Sequence, residues 1–199
     1  MEKLTKPTGS GRFVTRRAVL GGVGAAGIGM MAGCFGGQES ENVPDPMSID
    51  PEQACDNCTM IIGSHPGPAG QSHYDDPTAI LDEDRPAQFC STLCLYTFGF
   101  DHESESEPGV SYLTDYSTVD YEVDDSGQRT VISRHLEADT FGDVTELTMI
   151  ADSDVEGAMG KSIIPFGDAD DADQFQSEYG GETYVDDEIT QELIMSLMG

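Results

Sequence analysis

Ala87-Gln88-Phe89-Cys90-Ser91-Thr92-Leu93-Cys94-Leu95-Tyr96-Thr97-Phe98-Gly99 is the stretch on which the fold turns. Ala87 to Phe89 reads as a short strand, and Ser91 to Phe98 as a helix. Leu93, Tyr96 and Phe98 are its apolar positions, and Gly99 suits its end. Cys90 and Cys94 stand four apart at the helix start and so face one way. Upstream, Thr78-Ala79-Ile80-Leu81 reads as a second strand, joined to Ala87–Phe89 through the charged turn Asp82 to Arg85. Downstream, an acidic loop from Asp101 to Gly109 leads to Tyr112-Leu113, and Val119 to Val123 alternates as strands do. The theme then recurs. Strands are predicted at Glu146–Ile150 and Lys161–Pro165, an acid-started helix at Asp168–Tyr179, a strand at Thr183–Val185 and a terminal amphipathic helix at Asp187–Met198. The expectation is an α+β domain of two similar ββαβ halves with a C-terminal helix; the repeat rests on element order alone.

Ahead of this domain core lies Cys55-Asp56-Asn57-Cys58-Thr59-Met60, two thiols and a thioether within one turn. Soft sulfur ligands select Cu(I) over Mg, Ca or Mn. A zinc site would use the cysteines and have no need of Met60. If Met60 opens a strand Met60-Ile61-Ile62, side chains 58 and 60 share a face by the strand's period of two. Cys55 is then a third ligand or the disulfide partner of Cys58. His65, in the rigid turn His65-Pro66-Gly67-Pro68, is a further candidate, and His73 a weaker one. Met159 has no evident core task in its Gly-rich loop, which makes it another candidate. The ordinary readings stand beside these: Met60 as a core residue, His65 as an idle exposed imidazole, Met159 as a gap filler. Cys55, Cys58, Cys90 and Cys94 together are compatible with a four-thiolate zinc site, a second copper site or two disulfides. No nucleophile elbow, phosphate-cradling loop or His-Glu-x-x-His motif occurs.

The N-terminus reads as an export signal over residues 1–33. Thr15-Arg16-Arg17 precedes an uncharged Gly/Ala-rich run, and Met31-Ala32-Gly33-Cys34 resembles a lipoprotein cleavage site with Cys34 as the lipidated residue. The run is shorter than the ~20 apolar residues a spanning helix needs. Residues 34–51 read as a flexible tether and 52–199 as the domain. The chain carries 38 acidic and 9 basic residues, a formal −29. Five of those cations and only Glu2 among the acids fall in the signal, so the balance beyond Gly33 deepens to −33. Such a surface excludes nucleic acid as a partner. It resembles the proteins of salt-loving archaea.

Cys55-x2-Cys58-Thr59-Met60, His65-Pro66-Gly67-Pro68, Tyr112-Leu113-Thr114-Asp115-Tyr116, Gly157-Ala158-Met159-Gly160, Ile164-Pro165-Phe166 and Phe175 to Gly181 form an ordered series. This series resembles the NosL family, in a haloarchaeal-type variant, over roughly residues 52–186. The resemblance implies a lipid-anchored Cu(I) metallochaperone on the outer face of the cytoplasmic membrane. Its partners would be a copper donor and a copper acceptor, the latter nitrous oxide reductase, with its copper–sulfide site, or its ABC-type maturation complex. It implies a fold of two ββαβ halves, a Cys-x-Met copper motif falling on Cys58 and Met60, and a later Met-Gly falling on Met159 and Gly160. Two departures stand out: Thr59 replaces a usual Gly, and Cys90 and Cys94 occupy positions expected to lack thiols. The rival readings are a zinc- or disulfide-stapled interaction domain and a thiol–disulfide oxidoreductase using Cys55 and Cys58.

Overall fold

The computed structural model describes residues 43–199. The signal, Cys34 and the first part of the tether therefore lie outside the described residues. The first half of the domain consists of β1 (Gly70–His73), β2 (Ala87–Phe89), α1 (Thr92–His102) and β3 (Val110–Thr114). Three short strands follow: β4 (Val123–Asp124), β5 (Thr130–Ile132) and β6 (Phe141–Asp143). The second half consists of β7 (Thr148–Gly157), β8 (Gly160–Phe166), α2 (Ala169–Tyr179) and β9 (Glu182–Tyr184), and α3 (Gln191–Met198) ends the chain.

The two halves are wired alike. β1 pairs antiparallel with both β2 and β3, and β7 pairs antiparallel with both β8 and β9. In each half the helix carries the chain from the hairpin's second strand to the third. β6 extends the first sheet beyond β3. β7 is long enough to take two partners on one edge: β9 along Met149–Ala151 and the parallel β5 along Val155–Glu156, with a register shift between. The expected α+β fold with two ββαβ halves and a terminal helix is the one observed.

Local chemistry accounts for the elements. Ser91, Asp168 and Thr190 cap the three helices by accepting backbone N–H groups of Cys94, Asp170 and Leu193. Gly180, at φ 72°, ends α2 in a conformation open to glycine. α1 runs on through Gly99 to His102, so Gly99 lies inside the helix and does not end it. β8 is buried on both faces over its second half, which explains the apolar run Ile163 to Phe166. Met149, Ala151 and Ile163 face the larger core with Phe89, Leu93 and Leu113. Ile150, Val155, Ile164 and Phe166 face a smaller core with Phe175 of α2.

Four expectations need correction. Thr78–Leu81 is not a strand: Pro77–Ala79 forms a 3-10 turn, and the partner of β2 is Gly70-Gln71-Ser72-His73. Those residues are polar yet buried, so no apolar pattern betrays them. Gln71 is satisfied by the backbone of Met47 at 3.0 and 2.7 Å, and Ser72 by Ser111 at 2.8 Å. Met60–Ile62 forms only an isolated bridge, Ala54 to Ile61, before a 3-10 turn at Ile62–Ser64. Within Val119–Val123 only Val123 enters a strand. The terminal helix begins at Gln191, after a separate turn at Asp186–Glu188.

Candidate metal site

Two chain segments meet at the joint between β2 and α1. The first is the Cys55–Met60 turn, closed by Cys55 N–H donating to the Met60 carbonyl and Thr59 N–H to the Cys55 carbonyl, at 2.9 and 2.8 Å. Thr59 adopts φ 63° to make this turn. Cys58 and Met60 are therefore related by a turn, and strand alternation does not set their directions. Asp56 fastens the turn to β2. Its N–H donates to the Gln88 carbonyl at 2.9 Å, and its carboxylate accepts the Gln88 N–H at 2.7 Å. Arg85 grips the same carboxylate with two nitrogens at 2.7 and 2.8 Å.

This fastening brings four thiols together. The Sγ atoms of Cys55, Cys58, Cys90 and Cys94 all lie within 4.8 Å of one another. Cys58 is 3.4 Å from Cys90, and Cys90 is 3.7 Å from Cys94. All four are free thiols. Cys55, Cys90 and Cys94 are buried, whereas Cys58 is partly exposed and forms the opening of the group. The neighbouring Cys90 and Cys94 thiols hold the Cys55 pKa below the ordinary thiol value. The hydrogen bond to Cys55 correspondingly pushes Cys90 and Cys94 up.

Arg134 closes the site from behind. It donates to the carbonyls of Pro66 at 2.9 Å, Cys90 at 2.7 Å and His65. Its Nη1 is buried without a partner. Burial pulls its pKa down, against the opposing pull of Tyr116, Cys90 and Cys55. The guanidinium ties the His65–Pro68 turn to the thiol group. That turn also abuts the β7–β8 turn: a Cβ at Gly67 would sit 2.6 Å from the Gly157 Cα.

The candidates read from the sequence thus separate. Cys55, Cys58, Cys90 and Cys94 converge. Met60 is partly buried against the same core as Cys58. His65 is outside the close four-residue group, with its carbonyl held by Arg134. Met159 is 36% exposed on the neighbouring β7–β8 turn. His73 is engaged elsewhere, against Gln71 and Tyr112. Sequence reasoning did not single out Asp56, Arg85 or Arg134. Their signal was scarcity, since Arg85 and Arg134 are two of only four cations beyond the signal.

The chain matches the family model described as NosL over residues 46–194. The copper-binding lipoprotein NosL of Stutzerimonas stutzeri is 26% identical over 164 residues, which span 82% of this chain and 76% of that protein. The crystal structure of the copper chaperone NosL from Shewanella denitrificans is similar with a TM-score of 0.59 and 28% identity. That likeness covers 73% of this chain and 96% of the other.

Proposed function

Given that the chain belongs to the NosL family, we propose that it is a Cu(I) metallochaperone that carries copper as cargo and does no chemistry on it. The observation that carries this reading is the convergence of four thiols with one of them, Cys58, partly exposed. Thiolate and thioether sulfur suit a soft monovalent ion. Cys58 and Met60 are the principal ligands, with Cys55, His65 and Met159 available to complete the shell. Delivery proceeds by ligand exchange. A sulfur or imidazole of the acceptor bonds to copper, the Met60 thioether leaves, and copper remains Cu(I). The proposed acceptor is nitrous oxide reductase, at its copper–sulfide site, or the ABC-type complex that matures it.

The proposed location is the outer face of the cytoplasmic membrane, held by a lipid on Cys34. Among the described residues no helix is long and apolar enough to cross a membrane. The Cys55–Cys58 pair sits in a turn and not at a helix N-terminus, which is one of the settings that activate an oxidoreductase thiol.

Anaerobic competition with a chromophoric Cu(I) chelator tests the ligand assignment. Removing an outer-sphere partner alone weakens metal sites by roughly 10–100-fold. Cys58→Ser is therefore expected to weaken binding by more than about 100-fold, and Met60→Leu by less, because a neutral thioether grips more weakly than a thiolate. Unchanged affinity in both variants would remove Cys58 and Met60 as ligands.

A further inference from the structure

The copper reading above leaves Cys90 and Cys94 without a task. Resting on that reading, we propose that Cys55, Cys90 and Cys94 form an inner thiolate seat for the same copper ion, and that Cys58 is shared between this seat and an outer position completed by Met60. Copper held inside is stored; copper held at Cys58 and Met60 is ready to leave.

Geometry is the first support. A d10 ion bound to sulfur at ~2.3 Å separates its sulfurs by roughly 3.8 Å when tetrahedral and 4.6 Å when linear. The four Sγ atoms, mutually within 4.8 Å, with Cys58–Cys90 at 3.4 Å and Cys90–Cys94 at 3.7 Å, lie close to that range. A residue that merely fills core space has no reason to aim its sulfur at three others. Burial is the second support. Cys55, Cys90 and Cys94 are 1%, 0% and 2% exposed, so ions seated among them are shielded from chelators, and Cys58 is the way in and out. Electrostatics is the third. A monovalent ion on these thiolates carries net negative charge in a buried place. The N-terminus of α1, which begins at Thr92 immediately beyond Cys90, and the buried Arg134 guanidinium both oppose that charge. Arg134 also keeps one N–H unpartnered there.

The exchange balances without an oxidant. Moving inward, copper keeps its bond to the Cys58 sulfur, loses its bond to the Met60 sulfur and gains bonds to the Cys55, Cys90 and Cys94 sulfurs, whose protons pass to water. Moving outward reverses each step. Copper stays Cu(I) throughout.

The test uses the chain from Cys34 onward, loaded anaerobically with Cu(I) and examined by copper K-edge absorption and by chelator competition. The wild type is expected to show four sulfur neighbours and no nitrogen. Cys90→Ala/Cys94→Ala, which keeps the packing apolar, is expected still to bind one copper, with fewer sulfurs and at least about tenfold weaker affinity, as a lost ligand should cost at least as much as a lost outer-sphere partner. Met60→Leu is expected to keep the four-sulfur shell at equilibrium yet hand copper to the chelator more slowly. An unchanged sulfur count and affinity in the double variant would overturn the inner seat, as would nitrogen in the wild-type shell. Zinc retained among the four thiols through copper loading would overturn it too. Those results leave the copper reading standing; only failure of the wild type to take up Cu(I) would remove both.

Discussion

Thr59 sits at φ 63°, between the two residues proposed to grip copper. A β-branched side chain in the left-handed region costs roughly 1–2 kcal/mol, and glycine at the same place costs about 0.5–1 kcal/mol in lost chain freedom. Thr59→Gly should therefore stabilise the domain by about 0.5–1 kcal/mol, seen as a higher denaturant midpoint in reducing buffer. A lower midpoint would mean that the threonine side chain makes a compensating contact. Asp56 and Arg85 hold the turn from the other side, with side chains 11% and 24% exposed. Arg85→Met strips two charge-assisted bonds from a mostly covered carboxylate. The expected loss is about 1–2 kcal/mol, less than the ~3–5 kcal/mol for breaking a fully buried pair, because water reaches this one. Cu(I) affinity should fall with it although every sulfur is retained; unchanged affinity would show that the turn needs no anchoring. These residues also mark how far the site was legible. The thiol pairs were visible because ligand spacing is local. Asp56–Arg85 spans 29 residues, and Arg134 reaches 44 to 69 residues back to Cys90 and His65, and no local pattern encodes such contacts.

Most elements could be read where apolar residues kept a period, and the misplacement of β1 shows what happens where they do not. α2 and β8 follow their patterns because their buried faces are made of apolar side chains. β1 consists of Gly, Gln, Ser and His, and is buried by polar pairing. Gly70 is needed there because a Cβ would meet the Leu95 Cδ1 at 2.7 Å and the Leu113 Cδ2 at 2.8 Å, which lets α1 lie close on the sheet. His73 ends the strand, its Nε2 3.1 Å from Gln71 Oε1 and its ring edge-on to Tyr112 at 5.7 Å. Burial holds its pKa below the ordinary 6.5. The neutral form is thus favoured in the folded state. Its contribution is present above pH 6.5 and is lost as pH falls below that value toward the folded pKa, because the unfolded chain takes up the proton first. Stability should therefore decline from about pH 7 toward pH 5.5, before most carboxylates titrate. His73→Gln should flatten that slope in urea titrations across the range; an unaltered slope would assign the acid sensitivity to other groups.

At the scale of the molecule, one ββαβ plan is used twice with different chemistry at the strand–helix joint. The first joint is Cys90-Ser91 and carries the thiols. The second is Gly167-Asp168, where Gly167 N–H donates to Asp115 at 2.6 Å. The repeated frame is structural, and the cargo site belongs to one copy of it. The frame itself must hold together against its own charge. The described residues contain four Lys and Arg side chains, and all are engaged: Arg85 with Asp56 and Glu83, Arg129 with Glu156, Lys161 with Asp152, and Arg134 with buried carbonyls. The remaining acids have no lysine or arginine partner, so the folded chain repels itself in dilute buffer. Raising ionic strength from 0.1 to 1 M shortens the Debye length from about 10 Å to about 3 Å, below the spacing of most surface carboxylates. The unfolding midpoint should accordingly climb steeply over that interval. Sodium, potassium and tetramethylammonium chlorides should act almost alike at equal ionic strength, because screening depends on charge and not on ion identity. Sucrose at matched osmolarity should give a smaller gain. A midpoint flat from 0.1 to 1 M salt would show that the acidic surface is tolerated without screening, and that the two packed cores alone carry the fold.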